Sequence, residues 1–161
     1  MKVVCNSTPL IGLATIGRFD LLRSIFGRIV IAPAVWTETV TQGRIEGGAR
    51  REVEAADWID RVEVRDQLAV RVLLDELDHG EAETIVLALE QGADWVVMDE
   101  RKGRRKLERL GIPKIGTLGV LLKARQAAFI PTLRPKIARL RELGFSVSDS
   151  VVTSILAAAG E

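Results

Sequence analysis

Several residue types are nearly absent from these 161 residues, and each absence removes a class of chemistry. There is one cysteine, Cys5, so no internal disulfide can form and a cysteine-rich zinc site is impossible. A lone thiol in a chain of this length gives the expectation of a reducing, cytoplasmic setting. There is one histidine, His79, so any Ser-His-Asp or Cys-His centre would have to use it. No apolar run approaches the roughly 18 residues needed to cross a bilayer, so no membrane association is expected. The start, Met1-Lys2-Val3-Val4-Cys5-Asn6, turns polar too early for a secretory leader. Tyrosine is missing, asparagine occurs once at Asn6, and no internal repeat is visible.

What is present is charge in near balance, 23 Lys+Arg against 22 Asp+Glu, a formal net charge of +1. That total gives no bulk attraction to nucleic acid. Arginine outnumbers lysine 17 to 6, which fits either a heat-adapted source or a GC-rich genome. At 47% hydrophobic residues the chain is long enough to bury its own core, and one domain over 1–161 is the expectation. With histidine and cysteine so scarce, any enzymatic chemistry would run on carboxylates.

The chain alternates short β-branched runs with helical stripes. Val3-Val4-Cys5, Ile29-Val30-Ile31, Trp95-Val96-Val97-Met98 and the stretch around Ile115 read as buried strands. Val62-Glu63-Val64 reads as a peripheral strand, and Gly43, Gly47 and Gly48 as loop markers. Ser7-Thr8-Pro9 opens a helix, Pro33 opens another, and Gly80 to Gln91 carries an apolar stripe stopped by Gly92. His79 falls in the turn before it. Such alternation predicts an α/β fold with a short parallel sheet flanked by helices.

In such a sheet, ligands bind beyond the carboxyl ends of the strands. Asn6 follows the first strand, Asp99 and Glu100 follow the Trp95 strand, and Thr117 follows the Ile115 strand. Glu81 reaches the same rim by length. The helix from Glu81 to Gln91 runs out roughly 16 Å at 1.5 Å per residue, and the strand back covers roughly 16 Å at 3.3 Å per residue. Glu38 lies on the helix after the second strand, a turn or so from the rim. Glu83, two positions from Glu81, points elsewhere.

Carboxylates gathered at one rim repel one another unless a cation is present. A hard divalent ion, Mg²⁺ or Mn²⁺, suits oxygen donors, activates water and stabilises charge on a phosphoryl oxygen. Each acid also has a plainer reading: Glu81 as a first-turn residue favouring the helix dipole, Asp99-Glu100 as a cap, Glu38 as a solvated charge. Arg101 to Arg109 carries six basic residues and one acidic, a local +5 that begins two residues after Asp99. A basic rim beside an acidic pocket suits a phosphate backbone; its plainer reading is a solvated helix face. Aromatics are too few nearby to predict a stacking platform.

Four segments in order then resemble one family. They are Asn6-Ser7-Thr8-Pro9-Leu10-Ile11-Gly12-Leu13, Gly80-Glu81-Ala82-Glu83, Val97-Met98-Asp99-Glu100-Arg101-Lys102, and Gly116-Thr117-Leu118-Gly119-Val120-Leu121-Leu122-Lys123-Ala124. Together they resemble a prokaryotic branch of PIN-domain proteins similar to VapC-type toxins. The resemblance implies a three-layer PIN-like fold and a Mg²⁺- or Mn²⁺-dependent endoribonuclease acting on RNA. It also implies a toxin inhibited by a small cognate antitoxin and assembled as a homodimer. It assigns Asn6, Glu38, Glu81 and Asp99 to the catalytic centre, with Glu38, Glu81, Asp99 and Glu100 as metal-site carboxylates. Thr117, Arg101, Lys102, Arg104 and Arg105 are the expected substrate-binding residues. Asn6 stands where most members carry Asp; it keeps an oxygen ligand but removes a negative charge and cannot accept a proton. That departure supports an alternative, a PIN-like binding module that has lost turnover. A receiver-like signalling domain fits less well, because paired acids would be needed where Asn6 stands.

Overall fold

The computed structural model describes residues 1–43 and 48–161; Gly47, one of the expected loop markers, lies outside them. Among the described residues five strands form one parallel sheet: β1 (Val3–Cys5), β2 (Ile29–Ile31), β3 (Ile59–Arg61), β4 (Trp95–Val97) and β5 (Lys114–Ile115). Their order is β3-β2-β1-β4-β5, so the chain winds one way from β1 and then the other. The three inner strands are almost wholly apolar because helices cover both faces.

The helices are α1 (Ser7–Thr15), α2 (Asp20–Phe26), α3 (Pro33–Trp36), α4 (Arg50–Ala55), α5 (Gln67–Leu73), α6 (His79–Gln91), α7 (Arg101–Arg109), α8 (Thr117–Gln126), α9 (Arg134–Glu142) and α10 (Asp149–Ala158). A π-helical turn, Thr37–Thr41, continues α3. One group gathers round α6, namely α3, α5 and α7; the other gathers round α8, namely α1, α2 and α10. Leu10, Leu13, Leu21, Ile31, Ile85, Leu87, Met98 and Leu121 are fully buried between these layers and the sheet. Each such side chain contributes about 1.5–3 kcal/mol. The expected three-layer α/β architecture is present.

One strand differs from the sequence reading. The peripheral strand is Ile59–Arg61, pairing Val30 with Asp60, and not Val62–Val64. It is one of the two edge strands and carries Asp60 and Arg61, so apolar alternation gave no guide to it. Asp60 accepts two hydrogen bonds from Arg28, which begins the turn into β2. His79 also differs: it is the first residue of α6, exposed, with Nε2 3.3 Å from the Glu83 carboxylate.

Candidate active site

The strand register brings the site together. Cys5 pairs with Val97 in the parallel β1–β4 ladder, and the Asn6 N–H donates to the Val97 carbonyl at 3.0 Å. Asn6 and Asp99 therefore leave neighbouring strands at the same carboxyl end. This is the switch point of the sheet, where the chain turns in opposite directions from adjacent strands.

Asp99 is held from the next connection. Thr117 donates to it twice, from its N–H to Oδ1 and from Oγ1 to Oδ2, both at 2.7 Å. Thr117 is itself 0% exposed. Sequence reasoning expects it to bind substrate; in the structure its hydroxyl is buried and donates to the Asp99 carboxylate. Gly116 lets the approach happen, since a Cβ there would lie 2.9 Å from Asp99 Oδ1 and 3.2 Å from Arg104 Nη1. Arg104 Nη1 donates to the Met98 carbonyl at 2.9 Å, closing off the end of β4. Burial raises the Asp99 carboxyl above its ordinary value, the two Thr117 donors and Arg104 oppose this, and Glu100 adds to it.

Glu81 and Asp78 form a capping box at the start of α6. The Glu81 N–H donates to Asp78 Oδ1 at 2.8 Å, and the Asp78 N–H donates to Glu81 Oε2 at 3.0 Å. The plainer reading of Glu81 is thus realised, yet the residue is 8% exposed and faces other acids. Its carboxyl is raised by burial first, opposed by the Asp78 N–H, and raised further by Asp78, Glu100 and Glu38.

Glu38 sits in the π turn, an irregularity common at functional sites. Ser7 Oγ donates to its Oε2, and Gly80 lies so close that a Cβ would fall 2.3 Å from Oε1. Burial raises Glu38 as well, with Ser7 opposing and Asp78 adding. The turn closes at Gly43, where a Cβ would lie 1.8 Å from the Thr39 carbonyl oxygen. Glu83 is buried and accepts from the Ala34 N–H at 2.9 Å, tying α6 to the start of α3. It serves this joint and stands apart from the acidic group. Glu100 is exposed at the rim and accepts from Thr8 Oγ1 at 3.2 Å.

Two clefts flank these acids. A cleft of about 880 Å³ is lined by Asp99, Glu100, Arg101, Arg104, Arg105 and Lys114 on one side and by residues 145–148 and α10 on the other. A cleft of about 460 Å³ lies across α1 and is lined by Thr8, Glu38, Thr39, Gln42 and Leu143 among others. Lys102 is exposed but is not among the residues lining the basic cleft. Sequence reasoning missed Ser7, Thr8 and Gly80. The signal for the first two was their place directly after β1 at the sheet's carboxyl end.

A divalent cation fits this donor set. Every donor is oxygen, and the Asn6 side-chain Oδ1 is buried with no hydrogen-bond partner. An orphaned buried oxygen is costly unless something meets it. Among the described residues no three Asp, Glu, His or Cys side chains lie close enough together to hold a metal ion between them. Mg²⁺ binds through one or two carboxylates and keeps several waters, so a complete protein cage is not what it requires.

No protein of curated function matches the chain. Residues 2–161 match the DUF3368 family, described as a PIN domain. That match spans the sheet, the acidic rim and α7 alike, and the chain therefore belongs to the PIN-domain family.

Proposed function

We propose that this protein is a metal-dependent endoribonuclease, hydrolysing RNA phosphodiester bonds as the toxin of a toxin–antitoxin pair. PIN domains are generally nucleases and typically use divalent metals. The observation that carries the reading is the position of Asp99: fixed by Thr117 at the end of β4, it opens onto a cleft lined by Arg101, Arg104 and Arg105.

One or two of the carboxylates Glu38, Glu81 and Asp99, with Asn6 Oδ1, would hold Mg²⁺ or Mn²⁺, with Glu100 assisting at the rim. Bound there, the ion supplies water activation and charge stabilisation at phosphoryl oxygen. The chain's own part is orientation. Thr117 uses one lone pair of each Asp99 oxygen, leaving others for the rim. The Asp78 N–H fixes Glu81, and Ser7 fixes Glu38. Arg101 and Arg105 engage phosphates on the basic side, with Arg104 anchored between them and the strand end.

The test is Mn²⁺- or Mg²⁺-dependent RNA cleavage by wild type and by Asp99→Ala, with circular dichroism for the fold. Loss of cleavage in a folded variant supports the reading; equal cleavage by both overturns it. Asn6 favours a second reading, a PIN-like binding module without turnover. Calorimetry of Mn²⁺ with wild type and Asn6→Asp separates the two: no binding by wild type and binding by Asn6→Asp favours the module. The toxin reading further carries a small cognate antitoxin and a homodimer; light scattering of the purified chain checks the latter. Cytoplasmic location belongs to the same reading; among the described residues no helix is long and apolar enough to cross a membrane.

A further inference from the structure

Phe145 stands out among residues the proposed reaction has not used. It lines both clefts, and among the described residues it is the one aromatic side chain lining either. It is only half-buried, although the other phenylalanine nearest it in sequence, Phe129, is an exposed turn residue and Phe19 and Phe26 are in the core.

The ring's seat is specific. Gly12 on α1 offers it a bare backbone: a Cβ at Gly12 would lie 2.9 Å from Phe145 Cε2. Gly144 turns the chain with φ of +91°, a conformation that favours glycine, and the Phe145 N–H donates to the Leu140 carbonyl at 2.9 Å. The ring is thereby fixed on α1, the helix whose first turn carries Ser7 and Thr8 against Glu38 and Glu100.

The two clefts differ in charge. One side of Phe145 carries the cations Arg101, Arg104, Arg105 and Lys114 together with the acids Asp99, Glu100 and Glu108. The other carries Thr8, Thr15, Thr39 and Gln42 with Glu38, and no cation among the described residues that line it. Among the described residues, a strand crossing the acidic rim finds cationic phosphate partners on one side only. On the other it would need contacts that do not depend on charge, and an aromatic face is one that every base can use.

Resting on the ribonuclease reading above, we propose that Phe145 is a substrate-binding residue that stacks on the nucleobase beside the scissile phosphate, as the RNA passes from the basic cleft to the neutral one. Stacking on one aromatic weakens binding by about tenfold or more when the ring is removed.

The experiment uses the full chain, in EDTA, with oligoribonucleotides carrying 2-aminopurine at one position at a time and a distant dye for anisotropy. The expected result is that one position is quenched on binding, that Phe145→Leu abolishes the quenching and weakens binding about tenfold, and that Phe145→Trp restores both. Thermal melting of each variant accompanies the titration. Binding without quenching at any position in the wild type overturns the stacking role and leaves the ribonuclease reading standing, whatever the stability of the leucine variant. Equal quenching by wild type and a folded Phe145→Leu overturns it as well. Failure of the wild type to bind any RNA removes both.

Discussion

Single positions in this protein set geometry with very little tolerance, and Gly80 is the sharpest case. A Cβ there would meet both oxygens of Glu38, at 2.3 and 2.9 Å. Glycine in a helix costs about 1 kcal/mol relative to alanine, so Gly80→Ala should leave the melting temperature unchanged or raise it. The carboxylate, being the end of a side chain, would move. A displacement of about 1 Å at such a site costs on the order of a hundredfold in rate. Activity lost with stability retained, measured by RNA cleavage and thermal melting together, is the expected outcome. A fall in both would mean that Gly80 serves packing alone. The acids themselves make a second residue-scale prediction. Asp99, Glu81 and Glu38 all have raised pKa values in the folded chain, burial being the first cause. The native state therefore holds protons that the unfolded chain has released. The contribution of these three acids to stability is largest below the ordinary carboxylate range and declines as pH rises through the raised values. In EDTA the melting temperature should fall across that weakly acidic window. Asp99→Asn should flatten the decline, because its amide can still meet Thr117 without a charge. A melting temperature that rises through the same window would contradict the direction of these shifts.

At the scale of elements, α7 shows how packing and function share a helix. Its outward side carries Arg101, Lys102, Arg105 and Arg109, while Gly103 and Leu107 face the sheet. A Cβ on Gly103 would lie 2.1 Å from Met98 Sδ, with both residues buried. Gly103→Ala should destabilise the protein by about 1–3 kcal/mol in urea unfolding through overpacking, outweighing its helical gain. In a double-mutant cycle with Met98→Ala, which has its own cavity cost, the double variant should lose less than the sum of the two single losses; strict additivity would place the strain elsewhere. The same element illustrates what a sequence makes legible. Inner strands such as Val3–Cys5 and Ile29–Ile31 can be read from composition, because burial on both faces demands apolar β-branched residues. The edge strand Ile59–Arg61 escaped, because it carries Asp60 and Arg61. The positions of Asn6 and Asp99 at one rim followed from each coming directly after a strand of a parallel sheet, and that of Glu81 from helix and strand length. The donors that fix them did not: Thr117 was assigned to substrate, and only its burial and paired bonds reveal what it touches. Phe145 lies in a connection far along the chain, with no local pattern to link it to α1. Its seat depends on the missing side chain at Gly12.

For the whole molecule, the net charge of +1 becomes a useful constraint. A strongly basic protein would bind RNA from any direction, and salt sensitivity would carry no positional information. Here bulk attraction is nearly zero, so salt sensitivity has to come from cations near the site. Of the cations lining the basic cleft, Arg104 is tied to the Met98 carbonyl and Lys114 lies 3.7 Å from Glu108. Arg101 and Arg105 are exposed and make no ion pair among the described residues. Each phosphate neutralised on a single strand contributes about −0.7 to the slope of log K against log salt. Two cations then give about −1.4 by the same relation. The double variant Arg101→Ala, Arg105→Ala should bring that slope close to zero while leaving the fold intact. Arg134→Ala with Lys136→Ala, on α9 and outside the basic cleft, removes the same net charge and should leave the slope unchanged. Anisotropy titrations across a salt series measure all three. If the α9 pair flattened the slope as much as the α7 pair, binding would follow total charge, and the basic cleft would lose its claim to be where the RNA backbone lies.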